Sequence, residues 1–254
     1  MGSQTSRHAP NDIIEPTNAT ATNTPVAFIL GAGPRVGRMV AEKLKAQGYK
    51  VAIGSRHPDI DDAQKRGFLP ITVDVADSKS IGAAFHAVEE QLGAPPSVVI
   101  HNVSNNPSEG LPDVNDPLSL AYPDFISSVA IGAGVFAAAR EALAGFRAMK
   151  DSDLPKVFIT TGNVLPFKPV RPFFATLACQ KKVSAHVMEL CALTYAKEGF
   201  RFYFASQVNA LGGLPGEEFN GEAHALAYWD IITLKEQGRW DYRFTKDGVM
   251  LPNY

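Results

Sequence analysis

A strand, a glycine turn and a helix start follow one another near the N-terminus, and they limit what the rest of the chain can build. Val26, Phe28, Ile29 and Leu30 form a short apolar run, the pattern of a parallel strand covered on both faces. Gly31-Ala-Gly33-Pro-Arg35-Val-Gly37 comes next, and Arg38–Leu44 has amphipathic helical spacing. Glycines let the chain turn tightly and let a pyrophosphate approach the backbone. The helix start adds unpaired N–H groups and a positive dipole end, so the stretch predicts a nucleotide site.

Beyond it, strands and helices alternate. Strands are expected at Lys50–Ser55, Ile71–Val75, Ser97–His101, Lys156–Thr160, Phe200–Ala205 and Trp240–Thr245. Helices are expected at Ser80–Leu92, capped by Asp77 or Ser78, and at 123–149, 175–197 and Glu222–Glu236,. That alternation predicts an α/β fold, a Rossmann-like doubly wound parallel sheet. With 254 residues of which 45% are apolar, residues 25–254 suffice for a single domain. Residues 1–24 are rich in Asn, Thr, Ser and Pro without periodicity and read as a disordered leader,. Met1–Ser6 matches a myristoylation pattern and Asn18-Ala-Thr20 a glycosylation sequon. No polybasic segment or signal peptide supports either.

A net charge of −2 without any basic block argues against nucleic acid or an acidic membrane surface as partner. No apolar run is expected to reach the roughly 18 residues that span a bilayer, and a cytoplasmic location follows. Cys179 and Cys191 fall on one expected helix, about 18 Å apart, too far for a disulfide. Buried, unpaired thiols are therefore expected, and no residue set suggests a metal.

Cofactor preference is read after the second strand, where an acidic side chain would accept from a ribose hydroxyl. Ser55 and Arg56 stand there instead, with Arg35 available from the glycine turn. A small hydroxyl beside guanidinium groups suits a phosphate, so NADP(H) is the expected cofactor. Asp74 and Val75 close the third expected strand, and His101-Asn102-Val103-Ser104 follows the fourth.

In order and spacing, residues 25–210 resemble the short-chain dehydrogenase/reductase superfamily. Three residues, Pro34, Arg35 and Val36, separate Gly33 from Gly37, with Arg35 where that family has a middle glycine. The resemblance places Gly31, Gly33, Arg35, Val36, Gly37, Ser55, Arg56, Asp74, Val75, Asn102 and Lys181 against the dinucleotide. Asp74 and Val75 would adjoin the adenine. Of the family's Asn-Asn-Ala-Gly only Asn102 matches, and His101 is expected to be a hydrogen-bonded structural histidine.

The same resemblance implies a catalytic Tyr, a Lys four residues later, a Ser and an Asn. Lys181 fits the Lys, because Gly199-Phe-Arg201 lies 18 to 20 residues on; Lys182 is its neighbour. Four residues earlier stand Leu177 and Ala178, neither a proton donor, and Phe173 and Phe174 lack a hydroxyl. The Ser position falls on Thr160-Thr161-Gly162-Asn163, the Asn position near Ile131, and Gln207-Val208 replaces the family's Pro-Gly. Lys181, Thr161 and Asn163 are thus the catalytic candidates, without a Tyr. Thr161-Gly162-Asn163, Gly199–Tyr203, Glu222-Ala-His224 and Trp240–Gly248 are similar to fungal proteins of this kind that also lack the Tyr, some in secondary metabolism.

That likeness implies a hydrophobic small-molecule substrate, with Phe167, Phe173 and Phe174 either lining its pocket or joining the core. His224 and Tyr228 share a helix face, either packed or forming a lid. Helices near 125–145 and 183–195 would build a homodimer or homotetramer, as in relatives. An NADPH-dependent reductase of a ketone or imine is the leading expectation. A cyclase, isomerase or dehydratase on the same fold comes next, and a nucleotide-binding protein without turnover third.

Overall fold

A computed structural model describes residues 24–105 and 110–252. The expected leader, its myristoylation pattern and its sequon lie outside the described residues, apart from Thr24. Seven strands form one sheet in the order β3-β2-β1-β4-β5-β6-β7, every neighbouring pair parallel. They are β1 Val26–Leu30, β2 Lys50–Ser55, β3 Leu69–Thr72, β4 Val98–His101, β5 Val157–Thr161, β6 Arg201–Gln207 and β7 Asp241–Phe244. The order reverses between β1 and β4, so the carboxyl ends of these two strands flank a crevice. The single-domain, doubly wound α/β expectation holds.

The helices divide between the two faces. On one face α1 (Val36–Ala46) and α6 (Gly221–Thr233) pack together over Ala27, Ile29, Ile100, Ile159 and Tyr203. On the other, α3 (Ser78–Leu92), α4 (Tyr122–Ala148) and α5 (Ala175–Tyr195) cover Phe28, Leu30, Val99, Phe158 and Phe202. Alternate residues of each buried strand thus supply two cores. A short helix not read from the sequence, α2 (Ile60–Lys65), precedes β3 and is capped by Asp59, whose carboxylate accepts from Asp62 N at 3.0 Å.

Three expectations change. The third strand starts and ends earlier than expected, at Leu69–Thr72 rather than Ile71–Val75. Pro70 is tolerated because β3 is an edge strand, while Asp74 Oδ1 accepts from Ala76 N at 3.0 Å and turns the chain out of the sheet. Both cysteines are free but only half-buried. Finally, α4 is long and apolar enough, by length and composition, to cross a bilayer. Here it serves as the middle helix of its layer, burying Val135, Ala138, Ala139, Ala142 and Phe146.

Two glycines explain how tightly α4 sits. A Cβ on Gly134 would run into Val75 O, and one on Gly132 would meet Gln180 O at 2.8 Å. The helix therefore touches the turn after β3 on one side and α5 on the other, backbone against backbone.

Candidate active site

The glycine turn is built from positions with opposite steric demands. Gly31 has φ +87, and a Cβ there would meet Asn102 O at 2.6 Å. A Cβ on Gly37 would meet Ala32 Cα at 2.5 Å and Gly31 O at 2.7 Å. A Cβ on Gly33, by contrast, would meet nothing within 4 Å. The first and last glycines hold the turn closed, whereas the middle one leaves room for something outside the chain. Among the described residues no group accepts from the Ala32 N–H, and α1 begins at Val36 without a side-chain cap.

Two adjoining cavities open at this turn. One, about 480 Å³, is lined by Gly31, Ala32, Gly33, Ser55, Asp59 and Asn102 among others. The other, about 810 Å³, runs past Ser55, Arg56, Asp74 and Val75 to Ile131 on α4. Gly31, Gly33, Ser55, Arg56, Asp74, Val75 and Asn102 are thus gathered around one crevice. Val36 is buried at the start of α1. Arg35 lines neither cavity; its guanidinium lies over the Phe219 ring, 5.8 Å from the centroid. The structure does not bring Arg35 and Arg56 together as a phosphate clamp.

Beneath the crevice runs a hydrogen-bonded chain. Tyr228 Oη donates to Thr161 Oγ1 at 2.8 Å, Thr161 Oγ1 donates to Asn102 Oδ1 at 2.8 Å, and Asn102 Nδ2 donates to Gly31 O at 2.8 Å. Lys181, buried on α5, donates from Nζ to Thr161 O at 2.8 Å and Val103 O at 3.3 Å. Burial lowers its ammonium pKa to about 8. Gln180 holds the same loop, with Nε2 donating to Val103 O at 3.0 Å and Oε1 accepting from Asn105 N at 3.4 Å.

These contacts revise the catalytic candidates. Thr161 has a single hydroxyl proton, directed at Asn102, so it cannot also serve as acid to a substrate. Asn163 Oδ1 accepts from Leu165 N at 3.0 Å and starts a one-turn 3-10 helix; its amide N–H groups remain as donors. Lys181 keeps one N–H beyond the two it gives to carbonyls. Leu177 stands one helical turn before it, so α5 is in the expected register and presents an alkyl group there.

Both histidines on these elements are structural. His101 is buried with Nε2 unpartnered among the described residues, and burial, then the Lys181 charge, lower its pKa to about 3. It is the structural histidine expected, with a backbone hydrogen bond within its own residue acting against the lowering. His224 and Tyr228 are both 0% exposed, which makes them a packed helix face rather than a lid. Phe167 packs against Phe204 and Trp240 at ring distances of 6.0 and 5.9 Å. Neither it nor Phe173 or Phe174 lines either cavity.

Three functional contacts escaped the sequence. Gln207, in place of Pro-Gly, accepts from Asn220 N at 3.0 Å and donates to Glu218 O at 2.6 Å, fixing the entry to α6. Gln180 and the Tyr228 hydroxyl are the others. A glutamine beside Lys181 on a buried helix face was the available signal for Gln180; nothing in the sequence pairs Tyr228 with Thr161.

No family model matches the chain. It is 33% identical over 234 residues, 88% of this chain and 93% of the other, to the short chain dehydrogenase/reductase dmxR12 of Cryptosporiopsis sp. (strain 8999). A shorter match, 34% identical over 75 residues (30% of this chain and 28% of the other), is to the 3-oxoacyl-[acyl-carrier-protein] reductase MabA of Mycobacterium tuberculosis. Among solved structures, a metagenomic short-chain oxidoreductase in complex with NADP superimposes with TM-score 0.71 at 15% identity, over 87% of this chain and 97% of that one. A short-chain type dehydrogenase/reductase from Mycobacterium marinum does so with TM-score 0.68 at 19% identity, over 87% and 94%. The structural likenesses show the shared fold, and the match along nearly the whole length of the Cryptosporiopsis protein shows that the chain belongs to the short-chain dehydrogenase/reductase family.

Proposed function

We propose that the protein is an NADPH-dependent reductase acting on a ketone or an imine of a hydrophobic small molecule. The observation that carries this reading is the open space at Gly33 between two glycines packed solid. A phosphate is the group that can use both that gap and the unpartnered N–H beside it. Ala32 N–H and the start of α1 would hold the pyrophosphate, Arg56 and Ser55 a 2′-phosphate, and Asp74 with Val75 the adenosine. When bound, a nicotinamide dinucleotide supplies a hydride.

The chain's own part is to orient and to handle charge. Asn102 and Lys181 fix the loop ends that frame the crevice. The Lys181 ammonium and the Asn163 amide can donate to an oxygen or nitrogen that gains negative charge. With a pKa lowered to about 8, Lys181 is protonated at neutral pH and is the one acidic proton here within reach of its working range. An iminium ion becomes a neutral amine on taking up hydride and needs no further proton, so an imine presented as its iminium is the substrate best matched to this donor set.

One observation favours a second reading. Leu177 and the engaged Thr161 leave no hydroxyl acid, which suits a cyclase or isomerase that orients its substrate without hydride transfer. The outer face of α4 and α5 carries Phe136 (61% exposed) and Leu193 (72% exposed), which supports a homodimer or homotetramer through these helices. Light scattering of the purified protein tests that.

Calorimetric titration with NADPH, NADP⁺ and NADH, on the wild type and Arg56→Ala, tests the leading reading. Micromolar NADPH binding that weakens at least about tenfold in Arg56→Ala is expected, since bidentate contacts to phosphate are strong. Binding of no dinucleotide overturns it.

A further inference from the structure

We propose that Tyr228, on α6, is a positioning residue for the dinucleotide cradle: it acts through Thr161 and Asn102 to set the direction of the Gly31–Ala32 peptide. The inference rests on the dinucleotide reading above and assigns a part of it to a helix on the opposite side of the sheet from Lys181.

The direction of every proton in the chain follows from its last member. Gly31 O can only accept, so the group 2.8 Å away on Asn102 must be the amide nitrogen,. Asn102 Oδ1 then faces Thr161 and can only accept, so the Thr161 hydroxyl must donate to it across 2.8 Å. Thr161 Oγ1, its proton committed, must accept from Tyr228, also at 2.8 Å. The phenol therefore has to be protonated, and burial, only partly offset by the Thr161 bond, raises its pKa. The reverse polarity would set two amide and carbonyl oxygens against each other.

The far end of this chain is the cradle itself. In a trans peptide the C=O and the N–H point in opposite directions. An amide that holds Gly31 O against Asn102 thus turns the Ala32 N–H away from Asn102, and no described residue accepts from it. Asn102 O also lies where a Gly31 Cβ would be, 2.6 Å away, so the turn is clamped by the backbone and side chain of one residue. Remove the Tyr228 hydroxyl and Thr161 is free to rotate, Asn102 loses its fixed donor, and its amide can flip. The nucleotide turn then loses a defined N–H direction while the ring of residue 228 stays packed among His224 and Phe244.

The test uses Tyr228→Phe, Thr161→Val, Thr161→Ser and the double variant Tyr228→Phe/Thr161→Val. Each is melted, titrated calorimetrically with NADPH, and compared with the wild type by amide NMR without ligand. Tyr228→Phe and Thr161→Val should keep a folded, cooperative melt and each bind NADPH about five- to tenfold more weakly, the scale of one buried hydrogen bond. The double variant should bind no worse than the weaker single one, because both break the same chain. Thr161→Ser, which keeps the hydroxyl, should restore wild-type affinity, an outcome that a merely structural threonine would not require. A wild type that binds NADPH while Tyr228→Phe binds it equally well overturns the proposal and leaves the cofactor reading standing. If the wild type binds no dinucleotide, the cofactor reading fails, and the ligand-free spectra decide on the chain. Shifted Ala32 and Asn102 side-chain amide resonances in Tyr228→Phe support it, and unchanged ones overturn it.

Discussion

The β1–α1 corner lines the crevice and the β5–α5 corner is tied to it through Asn102 and Val103, but the two differ in what holds them to their form. At the first, the constraint is steric and lies in the backbone: a Cβ on Gly31 or Gly37 would collide with main-chain atoms below 3 Å. At the second, the constraint is chemical and lies in single side-chain atoms. Leu177 fits α5 as well as any other residue of its size, and the helix is unaffected by the hydroxyl it lacks. Shape at a nucleotide site is thus hard to lose without losing the fold, whereas proton-donating chemistry can be lost at no structural cost.

The sharpest break in this comparison should come from the glycines. Gly37→Ala is expected to cost about 3 kcal/mol or more, because backbone rather than a movable side chain stands in the way. Gly33→Ala, with open space around it, should melt like the wild type and yet bind NADPH at least about tenfold more weakly, since its methyl occupies the phosphate's gap. Thermal melts and calorimetry on the pair separate the two roles. Equal loss of stability in both would sink the distinction.

Next in size is the acid response. His101 and His224 are held neutral, with pKa values lowered by burial to about 3 and about 4. Unfolded histidine takes up its proton near pH 6.5, so below that the unfolded state binds more protons and stability falls with pH. The slope is about 1.4 kcal/mol per pH unit for each group, ending as His224 and then His101 titrate in the folded state. Lys181 acts at the other end, adding stability as pH rises from about 8 towards its unfolded value near 10.4. Urea unfolding from pH 4 to 10 measures both limbs. His224→Phe, which keeps a ring among Phe219, Tyr228 and Phe244, should remove one group's share of the acid slope.

Smaller effects sharpen the contrast between the arginines. Arg56→Ala should weaken NADPH binding far more than NADH binding. Arg35→Ala, which removes a guanidinium stacked on Phe219, should change either by less than about threefold, the scale of an exposed cation–π contact. A large loss in Arg35→Ala would return that residue to the phosphate.

What could be read beforehand follows the same divide. The order of strands, the glycine turn and the register that sets Lys181 one turn after Leu177 were legible, because periodicity and spacing encode backbone. That Ser55, Arg56, Asp74, Val75 and Asn102 gather at one crevice was legible because each lies at, or within three residues after, the carboxyl end of a strand. The Thr161 hydroxyl was found, but not its partners: it donates to Asn102 and accepts from Tyr228, 67 residues further on. Arg35 was misread for a similar reason, since Phe219 captures it from another loop. The third strand slipped because Pro70 argues against a strand except at an edge, and edge position is a property of the sheet rather than of the segment.

The two glycines of α4 have a wider consequence. Between the turn that carries Asp74 and Val75 and the helix that carries Lys181, the nearest approaches at Gly134 and Gly132 are to main-chain oxygens, Val75 O and Gln180 O. Side chains can change rotamer to absorb a small displacement, but peptide groups in a helix cannot. Any substitution that shifts α5 will also press on the turn that carries Asp74 and Val75. On the proposed reading, cofactor grip and substrate range become coupled traits, and directed evolution of one should move the other.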